Sequence, residues 1–235
     1  METKNPETEN KITHQLTFAD EEEGVLSLFE GELECFRARV YPMGDGEAEV
    51  SAQDVGILSE IQKYDIIPEF VICKVIKCII VTIGALKENG ITEPVFLTEK
   101  ATKFEEILGS TTVVQKRYSE FMMYLPPEQV ETTRNCGRRE ELIRYEQTEE
   151  GYICRNEDRS FFAKVSPYRD GWYVYEVEVR YDRRRIGIAT ACMGVLAERF
   201  LQMYLQVGSY NEPAVRLYEK LGFQVIEELC YYGEA

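Results

Sequence analysis

The sequence predicts a mixed α/β (α+β) fold in two parts, and three observations predict it. In the carboxyl-terminal half, segments of period-2 alternation give way to segments whose apolar residues recur every three or four positions. Pro126-Pro127 and the polar run behind it break the chain near its middle. The 235 residues are 44% hydrophobic and 29% charged, a balance that supports a sizeable core and excludes a wholly disordered chain. We therefore expect an α/β domain over residues 1–125, a linker over 126–140 and a second domain over 141–235.

The elements of the second domain follow in order. Tyr152 to Arg155 and Phe161 to Val165 read as short strands, and Arg169-Asp170-Gly171 as a hairpin turn. Trp172 to Val179 alternates aromatic and β-branched residues with charged ones, which marks another strand. From Ile188 to Tyr204, Ala189, Cys192, Met193, Leu196, Phe200 and Met203 make one apolar helix face. Tyr204 to Val207 reads as a strand and Glu212 to Leu221 as a helix stopped by Gly222. Phe223 to Ile226 returns as a strand.

The first half repeats part of this order. Setting Gln62 against Arg184 places Val55 on Val177, Ile57 on Val179, Glu60 on Asp182 and Asp65 on Gly187. A helix over Pro68 to Glu88, a strand over Val95 to Leu97 and a helix over Phe104 to Gly109 complete the parallel. Few identities support it, so one domain whose halves share only their spacing stays open. Where the second half has Gly187 and Ala189, the first has Asp65 and Ile67, which would repel an anion and block close approach to the backbone.

Composition narrows the function. The net charge of −15 disfavours nucleic acid as a partner and favours a cationic one, and most of that excess lies in the first 125 residues. The acidic run Asp20 to Glu23 reads as solvated surface. Seven cysteines (35, 73, 78, 136, 154, 192 and 230) without a Cys-x-x-Cys pair suit neither a disulfide framework nor a zinc site, so reduced thiols in a cytoplasm are expected. The single histidine, His14, leaves no imidazole for a triad, and no metal site is expected. Met1 to Thr17 is polar and acidic, unlike a secretory signal, and the apolar stretch Ile66 to Leu86 is interrupted by Glu69, Lys74 and Lys77. It reads as a buried helix, and no membrane partner is expected.

One segment carries chemistry. In Val177-Glu-Val-Arg-Tyr-Asp-Arg-Arg-Arg-Ile-Gly-Ile-Ala189 a strand ends, a basic turn follows, and Gly187-x-Ala189 opens a helix. Unpaired amides and the positive helix end make such a start an anion site, with Arg184 and Arg185 adding charge. A solvated basic turn is the plain alternative. A second segment, Asn211-Glu-Pro-Ala214-Val-Arg-Leu217-Tyr218-Glu-Lys-Leu221-Gly222-Phe223, follows the next strand directly.

With both segments in hand, residues 141–235 resemble the GNAT acetyltransferase superfamily. Its loop pattern Gln/Arg-x-x-Gly-x-Gly/Ala is met by Arg184, Gly187 and Ala189, and its later pattern Asn-x-x-Ala-x-x-Leu-Tyr-x-x-x-Gly-Phe by Asn211, Ala214, Leu217, Tyr218, Gly222 and Phe223. The resemblance implies the GNAT fold, a central mixed, mostly antiparallel sheet flanked by helices, and the repeat extends it to tandem GNAT-like domains. It implies that the backbone of Val177 to Val179 bonds the pantetheine arm of acetyl-CoA. The amides of Arg185, Ile186, Gly187, Ile188, Ala189 and Thr190, with Arg184, would hold the pyrophosphate, and Asn211 and Ala214 would line the far side. Tyr218 would protonate the departing thiolate, unless it only packs.

Attack on a thioester needs a deprotonated amine and hence a base. Without an available histidine, Glu176 and Glu178 are the candidates: a bulge would turn one inward, whereas an unbroken strand leaves both to solvent. Cys192, inside a helix face, is expected to be buried rather than nucleophilic. The function implied is direct transfer of an acetyl group from acetyl-CoA to a primary amine, a cationic small molecule or peptide, in a ternary complex. The alternative is a non-catalytic module that binds or senses acyl-CoA.

Overall fold

A computed structural model describes residues 11–20, 22–131 and 142–235. The expected linker over 126–140 falls largely outside the described residues, as do Cys136, Glu21 of the acidic run and the first ten residues.

The chain divides into two compact units. The first comprises residues 1–118 and 229–235, the second residues 119–228. This differs from the sequence expectation at both ends: 119–125 belong to the second unit, and the last seven residues belong to the first. The reason lies in strand pairing, and it emerges from each unit in turn.

The first unit begins with four strands, β1 (Ile12–Phe18), β2 (Gly24–Glu30), β3 (Leu33–Gly44) and β4 (Glu47–Ala52), each antiparallel to the one before. A short helix α1 (Ile57–Ile61) and the long α2 (Glu69–Glu88) lead to β5 (Glu93–Glu99), which runs parallel to β4. Helix α3 (Lys103–Ser110) follows, its first turn capped by the Thr102 hydroxyl accepting from the Glu105 amide at 3.1 Å. The strand that lies antiparallel to β5 comes from the far end of the chain: Leu229 to Gly233 of β12 (Gln224–Glu234) pair with Glu99 to Val95.

Helix α2 meets this sheet through Val71, Val75, Cys78, Ile79, Ile83 and Leu86, packed with Leu26, Leu28, Phe36, Val40, Val50 and Phe96. Cys230 and Tyr232 of β12 belong to the same core. The Tyr232 hydroxyl donates to Glu105 Oε1 at 2.5 Å, and burial, then that hydrogen bond, raises its pKa.

The second unit has the same order. Strands β7 (Ile143–Gln147), β8 (Tyr152–Asn156), β9 (Phe161–Tyr168) and β10 (Gly171–Val179) form an antiparallel meander. Helix α4 (Ile188–Phe200) crosses to β11 (Met203–Gly208), parallel to β10, and α5 (Glu212–Lys220) follows. Antiparallel to β11 lies β6 (Val114–Leu125), the strand that comes after α3 in sequence. Each unit is thus four antiparallel strands, a helical crossover to a parallel strand, a helix and a final antiparallel strand. The strand after α3 completes the second unit, and the strand after α5 completes the first.

Two expectations are corrected in register. The helix after Gly187 ends at Phe200, because Leu201 takes a positive φ of 55° and Met203 already begins β11. In the first unit, Val55 and Ile57 are not strand residues: Ile57 opens α1, and the strand equivalent to β10 is β4. The added helical turn α1 breaks the constant offset between the halves. Helix α2 starts after Pro68, as expected. The apolar stretch 66–86 is largely this helix, and among the described residues no helix is long and apolar enough to cross a membrane.

Ending the chain at Glu228 removes Cys230 and Tyr232 from the first core and unpairs β5. Loss of a buried aromatic side chain alone costs about 3–5 kcal/mol, a large part of a typical domain's stability. Cys35 and Cys78, buried in the first unit, should then alkylate rapidly while Cys154 and Cys192 of the second stay protected. Mass spectrometry of the labelled peptides checks this, and equal protection of both pairs would refute it.

Candidate active site

The site begins with a parallel strand pair that comes apart. β10 and β11 are paired only at Trp172–Met203, Tyr173–Tyr204 and Val174–Leu205, although both strands run on. A break in register lies on the other side of β10. Tyr175 lies opposite Lys164 and Glu178 opposite Phe162, so two residues, Glu176 and Val177, stand against one. This is a β-bulge, with Glu176 at a φ of 49°. A bulge bends its strand and sharpens its twist. Here it accompanies the parting of β10 from β11. In the first unit β4 and β5 stay paired from Glu47–Glu93 to Ser51–Leu97, nearly the full length of β4, and no such opening exists.

The bulge expected from the sequence is therefore present, but it does not bury a base. Glu176 is exposed, and its Oε1 is 2.6 Å from Lys164 Nζ. That hydrogen bond raises the lysine pKa. Glu178 is also exposed; it lies past the bulge, on the same sheet face as Phe162 opposite it. Val177 and Val179 are half-buried against the core of the unit.

Past β10 the basic turn divides its charges. Arg180 pairs with Asp182 at 2.6 Å and Arg183 with Asp158 at 2.9 Å. Arg184 donates from Nε to the Val179 carbonyl at 2.8 Å, and its guanidinium lies 5.6 Å from the Tyr181 ring centre. Arg185 is exposed with a positive φ of 63° and has no ion-pair partner among the described residues. Gly187 then caps α4 in the left-handed region at φ 91°.

The first α4 amide to reach an intrahelical carbonyl is that of Ala191, 3.0 Å from Gly187 O. The amides of Ile186, Gly187, Ile188, Ala189 and Thr190 have no partner among the described residues. No side chain caps this end. Five amides without an intrahelical partner therefore gather at the positive end of the helix dipole, a ready site for phosphate oxygens. A Cβ built on Gly187 would meet nothing within 4 Å. Glycine is needed here for its backbone angle, and the space before it is open.

Helix α5 supplies the other wall. Asn211 is its exposed N-cap and Ala214 is half-buried in the first turn. Tyr218 is buried and meets Phe223 edge-on at 5.7 Å. Gly222, at φ 91°, ends the helix and lets the Phe223 amide return to the Tyr218 carbonyl at 3.0 Å. Burial pushes the Tyr218 hydroxyl up to about 12. That hydroxyl makes no hydrogen bond among the described residues, yet it is not one of the fully enclosed unpaired atoms, which are Thr82 Oγ1 and Arg183 Nε. Cys192 is fully buried in α4, as its place on the helix face predicts.

A polar chain across three strands was not anticipated from the sequence. The Tyr173 hydroxyl donates to Gln206 Oε1 at 3.4 Å, and the Gln206 amide donates to Glu120. Alternation along the strands expected at 172–179 and 204–207 could have paired Tyr173 with Gln206. Glu120 was out of reach because β6 lies in the half assigned to the other domain.

The parallel pair thus parts beside an anion-accepting helix start, within a mixed, mostly antiparallel sheet of the kind that the resemblance to the GNAT superfamily implies. Comparison with known proteins agrees. Residues 118–223 match the model of the acetyltransferase (GNAT) family, and this segment is a GNAT acetyltransferase domain. The whole chain has the GNAT fold. A GCN5-related N-acetyltransferase from Sphaerobacter thermophilus superposes with a TM-score of 0.62 at 13% identity, covering 93% of this chain and 82% of that one. A tandem GNAT protein from the clavulanic acid biosynthesis pathway gives 0.61 at 8% identity, with 90% and 82% covered. A GNAT-family acetyltransferase from Colwellia psychrerythraea gives 0.57 at 11%, with 90% and 85% covered. No curated protein matches the sequence.

Since Gly187 is required by conformation and not by space, Gly187→Ala should fold and lose only the left-handed preference, about 1 kcal/mol. Calorimetry should show a Tm lower by about 2–4 °C. A drop several times larger would mean that the loop is packed, not open.

Proposed function

We propose that the protein transfers an acetyl group from acetyl-CoA directly to a primary amine. The observation that carries this reading is the coincidence of the β10–β11 opening with the amides of Ile186 to Thr190, which lack an intrahelical partner. The residues present suit the co-substrate: Arg184, Arg185 and the amides of Ile186 to Thr190 for the pyrophosphate, the backbone of Val177 and Val179 for the pantetheine arm, and Asn211 and Ala214 for the opposite wall.

In the reaction the amine nitrogen attacks the thioester carbonyl carbon, the N–C bond forms, and the C–S bond breaks. The nitrogen gives up a proton to a carboxylate or to a water it orders, and the sulfur departs as a thiolate that takes its proton from water. Tyr218, kept neutral by burial, is the donor facing that sulfur. With a pKa near 12 against about 8.5 for a thiol, its hydrogen bond stabilises the developing charge more readily than it surrenders the proton. Of the two carboxylates, Glu178 is the better base, because Lys164 occupies Glu176. The acceptor is a cationic amine, small molecule or peptide, in keeping with the net charge of −15. The six described cysteines are free thiols, which suits a reducing cytoplasm.

The Lys164–Glu176 pair also favours a second reading, a module that binds acyl-CoA without turnover. Release of thiol from acetyl-CoA across a panel of amines separates the two; binding without release on any amine would favour the module.

The first unit lacks the strand opening, and its α2 is entered through Pro68, which has no N–H to offer. Titration should therefore give one coenzyme A per chain; a second equivalent site would overturn the division of roles. Tyr218→Phe should slow transfer by roughly 10²–10⁴-fold while leaving acetyl-CoA affinity nearly unchanged. Full activity in that variant would reduce the tyrosine to packing. Glu178→Gln should slow transfer, and Glu176→Gln should leave it nearly unchanged. The reverse pattern would exchange their roles.

A further inference from the structure

Each unit has a strand with a single neighbour. Among the described residues β1 pairs only with β2, and β7 only with β8. Such an edge is a template for another chain, and proteins commonly blunt it with charge, proline or a bulge. β7 is blunted by charge: Arg144 pairs with Glu157 at 3.8 Å and Glu146 with Arg155 at 3.0 Å. β1 is not. Its seven residues, Ile-Thr-His-Gln-Leu-Thr-Phe, include no proline, carboxylate, lysine or arginine, and they keep an unbroken register with Glu30 to Gly24.

The hairpin turn fixes which backbone groups point outward. The Ala19 amide donates to the Glu23 carbonyl at 3.1 Å. Bonded and non-bonded positions alternate along an antiparallel pair, so Thr17, Gln15 and Thr13 turn their backbone groups to β2. Ile12, His14, Leu16 and Phe18 turn theirs to the open edge. In side chains the two rows also differ. Ile12 and Leu16 pack against the first core, His14 lies 3.6 Å from Glu88 of α2, and Phe18 is 40% exposed. Thr13, Gln15 and Thr17 form an exposed row that is polar and uncharged.

We propose that β1 is an interface between two copies of this chain, paired antiparallel about a two-fold axis at Gln15. This register engages all seven residues of both strands, so that every outward amide and carbonyl finds a partner. The strand is complementary to itself in this arrangement. Ile12 meets the partner's Phe18 and His14 the partner's Leu16 on one face; Thr13 meets the partner's Thr17 and Gln15 the partner's Gln15 on the other. At each end Lys11 stands opposite the partner's Ala19, beside Asp20 and the acidic turn that closes at Glu23, so opposite charges meet. A second copy supplies the apolar, polar and charged matches together, which favours it over an unrelated peptide. The interface goes beyond the transferase reading and does not depend on it.

Sedimentation of the full chain across the micromolar range, at fixed salt, tests this. The wild type should show a dimer fraction that rises with concentration. Gln15→Lys and Gln15→Glu each set two like charges face to face on the axis, while the side chain they replace is exposed in the single copy. Each variant alone should raise the dimer Kd about fivefold or more. An equimolar mixture of the two should associate at least as tightly as the wild type, because each lysine then faces a glutamate. Recovery in the mixture also shows that both variants fold. A wild type that stays monomeric throughout, a dimer that neither variant weakens, or a mixture that fails to recover would overturn the interface.

Discussion

The arrangement of the site depends on one extra residue in β10. With Glu176 and Val177 standing against a single residue of β9, β10 resumes its pairing with β9 past the bulge, whereas its pairing with β11 ends at Val174. It keeps β9 and leaves β11. The backbone beyond Val174 is thereby freed on its inner edge, and the turn that follows delivers Gly187 to the mouth of the gap. A non-glycine residue at a φ of 49° costs roughly 1–3 kcal/mol, and the ion pair between Glu176 and Lys164 spans the same place. Strain, opening and anion site therefore lie close together along one short stretch of chain. β4, which pairs with β5 along nearly all its length, has no such gap.

This account also explains why similar topologies take different roles in the two units. Both have four antiparallel strands, a crossover helix and a parallel fifth strand. What differs is local: α4 opens on a left-handed glycine with amides that lack an intrahelical partner, whereas α2 opens on Pro68 behind a separate turn of helix. Fold symmetry of this kind is compatible with a strong asymmetry of chemistry, because an anion site requires only a few backbone groups in one conformation.

Much of the second unit was legible in the sequence, since its signals are local. The alternation of Trp172 to Val179, the glycines at 187 and 222 and the apolar face of α4 each report on neighbours a few residues away. Position-by-position matching of Arg184, Gly187, Asn211 and Tyr218 then indicated the site. The rest was hidden for a physical reason: partners of a strand are chosen across the sheet and leave little trace in the strand itself. Nothing in Val114 to Leu125 says that it pairs with β11, so Glu120 was assigned to the wrong unit and its link to Gln206 went unseen. The offset between the halves failed for a related reason, since α1 adds one helical turn without disturbing the apolar periodicity on either side. The occupied state of Glu176 was likewise invisible, because it depends on Lys164 across the bulge.

The exchange of final strands gives the two units different histories during synthesis. Residues 119–228 form an uninterrupted stretch, so the second unit has all its strands once that stretch has left the ribosome. The first unit, although most of it is made earlier, must wait with β5 unpaired and its tyrosine socket empty until residues 229–235 emerge. Closing a loop that long adds an entropic cost that grows only slowly with length, but it fixes an order of events. The half made first is thus the last to have all its strands on hand.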